Sequence, residues 1–407
     1  MAQAADIVII GGSHAGSEAA FRLRQGGFGG SIALLSAETH LPYQRPPLSK
    51  AFLAGDITSE ALLLRAASSY EKSKIDFHPG VRVDAIDRAA HQLTCADGSP
   101  FAYGKLIIAT GGRPRVLPIP GADLGGLHVM RTIADVDRLR PEFLPGKRLV
   151  IAGAGYIGLE VAAVAVKHGL DVEVVEFAPR VLARVAGEAL SAYYEAAHRK
   201  HGVRFRFNTG VEAFLGEAGQ VRAVRCSDGA ELPADLVLVA VGLVPNVELA
   251  QAAGLEVNNG IVVDEFCRTA DPDVLAVGDC TNFPLPHLGA RVRLESVPNA
   301  VEQARVAATV LNGVPSPYNA VPWFWSDQYD LKLQSVGLNQ GYDTLVQRPP
   351  RHPDGFVGFY MKEGRVIAAD CVNAIAEFNQ AKKFVAANAV LDPAALADPA
   401  VELKSLI

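Results

Sequence analysis

Twice along the chain a short, apolar, β-branched strand runs straight into a glycine-rich turn, and this limits the possible folds more than any other feature. Asp6-Ile-Val-Ile-Ile10 leads into Gly11-Gly12-Ser13-His14-Ala15-Gly16, and Arg148-Leu-Val-Ile-Ala152 leads into Gly153-Ala-Gly155-Tyr156-Ile157-Gly158. Continuous apolar strands of this kind are covered on both faces, the condition of strands in a parallel sheet. An apolar-periodic helical segment follows each turn, Ala15 to Gln25 and Leu159 to His168. A second strand comes next, Ser31 to Ser36 and Asp171 to Glu176. Each half therefore opens with a βαβ unit, and the fold class is α/β with two Rossmann-type nucleotide-binding domains.

The halves stay parallel further on. Alternating strands run from Arg82 to Asp97 and from Val211 to Asp228, each reaching an Asp-Gly turn, Asp97-Gly98 and Asp228-Gly229. Each half then closes on an apolar strand ending in glycine, Leu106 to Gly111 and Leu236 to Gly242. A third strand-plus-glycine signal, Val274-Leu-Ala-Val-Gly278-Asp279, most simply completes the first domain's sheet, which makes the second domain an insertion. From Val321 onward the aromatic cluster Trp323, Phe324, Trp325 and Tyr329, short strands and a helix near Glu377 to Ala387 predict a small α+β C-terminal domain. The expected division is a discontinuous domain at 1–112 and 243–320, an inserted domain at 113–242 and a C-terminal domain at 321–407.

Composition removes several function classes. A net charge of −6 argues against a global field for nucleic acid. The five cysteines form no Cys-x-x-Cys pair, which argues against a disulfide scaffold or a bound metal. The apolar run at the N-terminus is too short for a signal-peptide core or a membrane span. A cytoplasmic location without membrane attachment is therefore expected.

The second turn carries the fuller dinucleotide signature. Its glycines permit a tight turn, close approach of the backbone to a pyrophosphate and close helix–strand packing, and the helix start offers N–H groups to phosphate. Glu176 closes the next strand, where a carboxylate accepts from a ribose 2′-hydroxyl and repels a 2′-phosphate. NADH is thus expected over NADPH, with Arg180 and Arg184 nearby as the contrary charges. In the first turn Ser13 replaces the middle glycine, which serine is expected to tolerate less well, and Gly12 adds freedom beside it. Ala37 occupies the place of the ribose-binding acid, so Glu38 takes that role, and His14 reads as a helix-start residue.

Leu41-Pro-Tyr-Gln-Arg45-Pro-Pro-Leu-Ser-Lys50 is stiffened by prolines and cannot be the interior of a regular element. Arg45 and Lys50 bracket its second half. A cation there would stabilise the anion that a flavin becomes on accepting hydride. A solvated surface lysine explains Lys50 equally well from the loop alone. Gly278-Asp279 ends a strand, where open α/β sheets bind ligands, and a carboxylate there suits a ribityl chain or caps the next helix.

These stretches resemble the FAD-dependent, NADH-dependent ferredoxin reductases of bacterial oxygenase systems over nearly the whole chain. The resemblance is carried by Arg45-Pro-Pro-Leu-Ser-Lys50, Ala109-Thr110-Gly111-Gly-Arg-Pro114, Gly155-Tyr-Ile-Gly-Leu-Glu160-Val-Ala162, Val277-Gly-Asp-Cys280, Glu295-Ser-Val297-Pro-Asn-Ala300 and Pro322-Trp-Phe-Trp-Ser-Asp-Gln-Tyr329. It implies a glutathione-reductase-like fold with FAD, NAD and C-terminal interface domains. It implies FAD contacts at Ala15, Lys50, Val83, Arg131, Asp279 and Val297, and at Gly16, Ala109, Thr110 and Gly111. NAD would be met at Tyr156, Ile157 and Gly242 beside the second turn. Lys50 and Glu160 look like the family's pair beside the flavin N5 and the nicotinamide, with Trp325 near the flavin on the face that meets an iron–sulfur partner. The implied activity passes electrons from NADH through FAD to a 2Fe–2S ferredoxin serving a haem-thiolate monooxygenase or a ring-hydroxylating dioxygenase. An acidic ferredoxin would call for a basic patch, with Arg65, Arg305, Lys332 and Lys382 as candidates. Two other readings stay open: a disulfide reductase or peroxidase, which needs a reactive cysteine, and a flavin-binding protein resembling apoptosis-inducing factors. The oligomeric state is not fixed by the sequence, a monomer being the simplest case.

Overall fold

The computed structural model describes residues 3–407. The chain divides into two compact units, one of residues 1–44, 60–113 and 244–322, the other of 45–59, 114–243 and 323–407.

In the first unit the opening strand Gln3–Ile10 lies at the middle of a sheet, flanked in parallel by Ile32–Ser36 and by Pro100–Ile108. Ile75–Pro79 extends the sheet beyond Ile32–Ser36, and Gln92–Cys95 and Val83–Asp87 add antiparallel strands on the other side. The strand Val274–Ala276 pairs parallel with Pro100–Ile108, with Ala276 opposite Ile108, so the late strand completes this sheet as expected. Helix His14–Gln25 buries Ala15, Ala19, Ala20 and Leu23 and packs against helix Val297–Leu311. The Asp97-Gly98 turn joins the paired strands Gln92–Cys95 and Pro100–Ile108, as its sequence predicts.

In the second unit the parallel sheet runs Arg204–Arg206, Asp171–Val175, Arg148–Ala152, Leu236–Val239, Leu127–His128. Helix Tyr156–Lys167 begins a turn earlier than periodicity suggests, because Gly158 sits inside it rather than before it. A three-stranded antiparallel sheet follows, in which Asp228-Gly229 turns Gln220–Cys226 into Glu231–Pro233. The last part is a five-stranded antiparallel sheet in the order Trp323–Gln328, Leu331–Gly337, Arg365–Val372, Phe356–Lys362, Thr344–Gln347, covered by helix Ile375–Ala386. Buried Arg348 ties down the C-terminal residues by donating to the carbonyls of Leu396, Asp398 and Val401. No helix among the described residues is long and apolar enough to cross a membrane.

Candidate functional site

The glycine turn of the first unit sits where four parallel strands end level. Gly11 N–H donates to the Leu35 carbonyl, Ala109 N–H to the Ile10 carbonyl, and Val277 N–H to the Ile108 carbonyl. Gly11, Ala109, Thr110, Gly111, Gly278 and Asp279 therefore share one sheet edge, the carboxyl edge where open α/β sheets hold ligands. Gly11 has φ of +120°, and a Cβ there would lie 2.1 Å from the Ala109 carbonyl oxygen. A Cβ on Gly16 would lie 1.9 Å from the Gly11 carbonyl oxygen, so this glycine sets the helix directly against the turn.

Ser13 departs from the expectation of a poorly tolerated serine. It precedes the helix with φ of −129°, ordinary extended backbone, so its Cβ carries no conformational penalty. His14 is the first helical residue, as predicted. Ala37 is exposed just past its strand, while half-buried Glu38 accepts a hydrogen bond from the buried hydroxyl of Tyr43. Val83 is buried in its strand. Val297 is half-buried at the start of its helix. Thr110 exchanges hydrogen bonds with the backbone and side chain of Asn246, which holds the end of its strand.

In the second unit Gly153 has φ of +103° and its Cβ would lie 2.5 Å from the Ala240 carbonyl oxygen, while a Cβ on Gly158 would lie 2.2 Å from the Gly153 carbonyl oxygen. Gly155 differs. A Cβ there would meet no protein atom within 4 Å, and Gly155 heads a helix with no side-chain cap. A bare backbone at a helix start, with room in front of it, fits a pyrophosphate. The Glu176 carboxylate accepts from Ala154 N–H in that turn at 2.6 Å and from Ala178 N–H at 2.8 Å. Each oxygen keeps a lone pair for a hydroxyl donor. Ile157 and Arg184 are exposed, Tyr156 packs its ring 4.4 Å from that of Phe324, and Gly242 is exposed with φ of +106°.

From Arg45 onward the proline-stiffened loop belongs to the second unit. Its prolines start a short 3-10 helix, Pro46–Ser49, where their fixed φ suits the first helical positions. The turn delivers Lys50 Nζ to 2.7 Å from Glu160, which is 3% exposed. Two hydroxyls join the pair: Ser49 Oγ donates to Glu160 Oε2 at 2.5 Å and Ser326 Oγ to Oε1 at 2.6 Å. Such compensation is what allows a buried carboxylate to keep its charge. Lys50 also donates to the Pro46 carbonyl at 3.1 Å. Arg45 donates to the Arg131 carbonyl at 2.6 Å, and Arg131 N–H to Asp135, the acid of a capping box on Thr132. Trp325 is half-buried, its ring 5.6 Å from that of Trp323, over which Lys382 lies at 5.0 Å. Of the other basic candidates, Arg65 pairs with Glu18 and Arg305 with Glu302, while Lys332 is exposed.

Sequence reasoning found Lys50 and Glu160 but missed the two serines that complete the pair. Both lay inside quoted segments, and Ser326 with Gln328 at alternate strand positions was the available sign of a polar buried face. All five cysteines are buried and unpaired. Burial pushes the thiols of Cys267, Cys280 and Cys371 up, and that of Cys226 to about 11. Protonated, enclosed thiols are poor nucleophiles, which disfavours disulfide chemistry here.

Residues 5–304 match the pyridine nucleotide-disulphide oxidoreductase family, and residues 323–407 match the reductase C-terminal family. The chain is 45% identical to putidaredoxin reductase of Pseudomonas putida over 99% of its own length and 96% of that protein's. It is also 45% identical to a ferredoxin–NAD(P)+ reductase of Sphingomonas, over 99% and 97%. Its structure matches that of putidaredoxin reductase in the covalent putidaredoxin reductase–putidaredoxin complex with a TM-score of 0.95 at 44% identity, over 98% and 97% of the two chains. With the family matched across most of the sequence and both turns built as dinucleotide cradles, the chain belongs to the pyridine nucleotide-disulphide oxidoreductases and groups among them with the ferredoxin reductases.

Proposed function

We propose that this protein is an NADH-dependent ferredoxin reductase that passes electrons through FAD to a 2Fe–2S ferredoxin of an oxygenase system. The observation that carries this reading is the pairing of half-buried Lys50 with buried Glu160, built on the loop and helix that hold the most specific sequence segments. FAD, when bound, supplies the conversion of a two-electron donor into single-electron steps. Residues 1–112 and 243–320 serve as the FAD domain, 113–242 as the NAD domain and 321–407 as the interface domain, in the cytoplasm. The first turn, with Gly11, Gly12, Ser13, Ala15 and Gly16, receives the FAD pyrophosphate, and Glu38 receives its ribose. Thr110, Gly111, Asp279 and Val297 line the rest of that site within the first unit.

Gly153, Gly155 and Gly158 receive the NADH pyrophosphate and Glu176 the adenosine ribose. Lys50 places a cation where negative charge develops during hydride transfer, and Glu160 holds that cation in place. Trp325 and Lys382 face the ferredoxin, where an aromatic and a cation together suit an acidic partner.

Anaerobic titration tests the reading. Purified protein is yellow, is bleached by NADH, and then reduces a 2Fe–2S ferredoxin. A protein that takes up no FAD, or that is bleached without reducing any ferredoxin, overturns it. The role of Glu176 predicts a kcat/KM for NADH at least about tenfold above that for NADPH, and an equal or higher value for NADPH overturns that role.

A further inference from the structure

The hydrogen bonds around Glu160 continue into the protein in one direction. An ionised carboxylate only accepts, so Ser326 Oγ must donate its single hydrogen to Glu160 Oε1. Ser326 Oγ can then only accept from Gln328, which donates its Nε2–H at 3.1 Å. That fixes the amide orientation and leaves Gln328 Oε1 facing His198 Nε2 at 2.8 Å, so the Nε2 of His198 carries the hydrogen. His198 Nδ1 is left as an acceptor, and the Tyr329 hydroxyl lies 2.9 Å from it. The chain of donors runs Tyr329, His198, Gln328, Ser326, Glu160, and every member lies in the second unit.

The side chains in the middle are enclosed, with Ser326 and His198 at 0% exposure and Gln328 at 1%. Burial pushes the His198 imidazole down to about 4, which keeps it neutral, and pushes the Tyr329 phenol up, which keeps it a donor. Tyr329 occupies a left-handed turn at φ of +57°, between the strands Trp323–Gln328 and Leu331–Gly337, and its ring stacks on His201 at 3.8 Å. A buried run with every donor assigned has one arrangement, whereas a lone serine hydroxyl would rotate among several.

We propose that Gln328 and His198 are positioning residues: they hold the Ser326 hydroxyl with its hydrogen aimed at Glu160, and so fix the Glu160 carboxylate against Lys50. The proposal rests on the functional reading of the Lys50–Glu160 pair. Neither Gln328 nor His198 touches Lys50 or Glu160 in these bonds, so both act through Ser326.

The experiment uses the FAD-loaded protein and measures anaerobic reduction by NADH in a stopped-flow instrument, with FAD content and thermal stability recorded for each variant. Gln328→Met and Ser326→Ala slow reduction about tenfold, by analogy with losses at residues that orient reacting groups, with the NADH dissociation constant unchanged. His198→Gln keeps an N–H donor toward Gln328 and retains a rate within about twofold of the parent, whereas His198→Phe loses as much as Gln328→Met. Added to Glu160→Gln, the Gln328→Met change causes no further loss. Independently of activity, 15N NMR of histidine-labelled protein at neutral pH shows His198 as the neutral Nε2–H tautomer. A parental rate in Gln328→Met and Ser326→Ala, a multiplicative loss in the double variant, or an Nδ1–H tautomer overturns the positioning role. If Glu160→Gln itself reduces at the parental rate, the reading of the Lys50–Glu160 pair is overturned first, and the positioning role with it.

Discussion

The two glycine turns share a plan and differ at its middle. In both, the outer glycines are demanded by the protein itself: Gly11 and Gly153 by positive φ and a neighbouring carbonyl, Gly16 and Gly158 by contact with the turn behind them. At the residue that heads the helix the turns part. Ser13 stands there in the first and Gly155 in the second, both in extended backbone that any residue adopts. Nothing in the protein explains Gly155, since the space where its side chain would go is open. In the first turn the extra glycine moves one place earlier, to Gly12, whose Cβ would lie 2.6 Å from that of Ser36. One glycine set answers to packing, and the second turn adds a glycine that no protein contact requires.

The carboxylates repeat the contrast. Glu176 reaches back into its turn and accepts from Ala154, so the acid and the turn form one unit. Glu38 is held by Tyr43 from the loop that follows.

The largest effects test what the turns share. Gly16→Ala and Gly158→Ala each force a Cβ to within 1.9 and 2.2 Å of a backbone oxygen, respectively. Each should cost about 3 kcal/mol or leave the protein unfolded, read by urea denaturation. Parental stability in either variant would remove packing as the reason for the outer glycines.

Acid should separate the second unit from the first. Burial pushes the His198 imidazole down to about 4 in the folded protein, from 6.5 for the free side chain. Its pKa is depressed in the folded state, so the unfolded chain binds the proton first. The stability that His198 contributes is full above pH 6.5, falls as pH drops toward 4, and levels off below. The loss is on the order of 3 kcal/mol. His198→Phe should flatten that segment of the stability–pH curve, and an unchanged slope would show that His198 is protonated while folded.

Gly155→Ser carries the first turn's serine into the second and is the sharpest test of the comparison. No protein atom obstructs it, so the melting temperature should hold within about 2 °C. The dissociation constant for NADH should rise about tenfold as the added side chain crowds the pyrophosphate. Unchanged NADH binding would make the two turns interchangeable. The smallest effect belongs to the reverse change. Ser13→Gly should alter stability by less than about 0.5 kcal/mol, since φ of −129° needs no glycine.

Much of this architecture was legible because it is local. The apolar strands, the glycines where φ turns positive, the Asp-Gly hairpins and the late strand Val274–Ala276 each announce themselves within about ten residues. The misjudged features were also local but depended on geometry that residue type does not carry. Serine at position 13 looked costly until its backbone proved extended, and the helix from Tyr156 began before its periodic pattern did.

What the sequence alone determined is the pair of dinucleotide cradles and the identities of Lys50, Glu160 and Glu176, because a chain can place glycines and charges only where its own order puts them. Tertiary structure decided what surrounds them. Ser49 reaches Glu160 across 111 residues of chain and Ser326 across 166, and His198 reaches Gln328 across 130. Contacts at such separations leave no periodicity or spacing to read. They exist because a buried carboxylate, once desolvated, must find donors wherever the fold brings them.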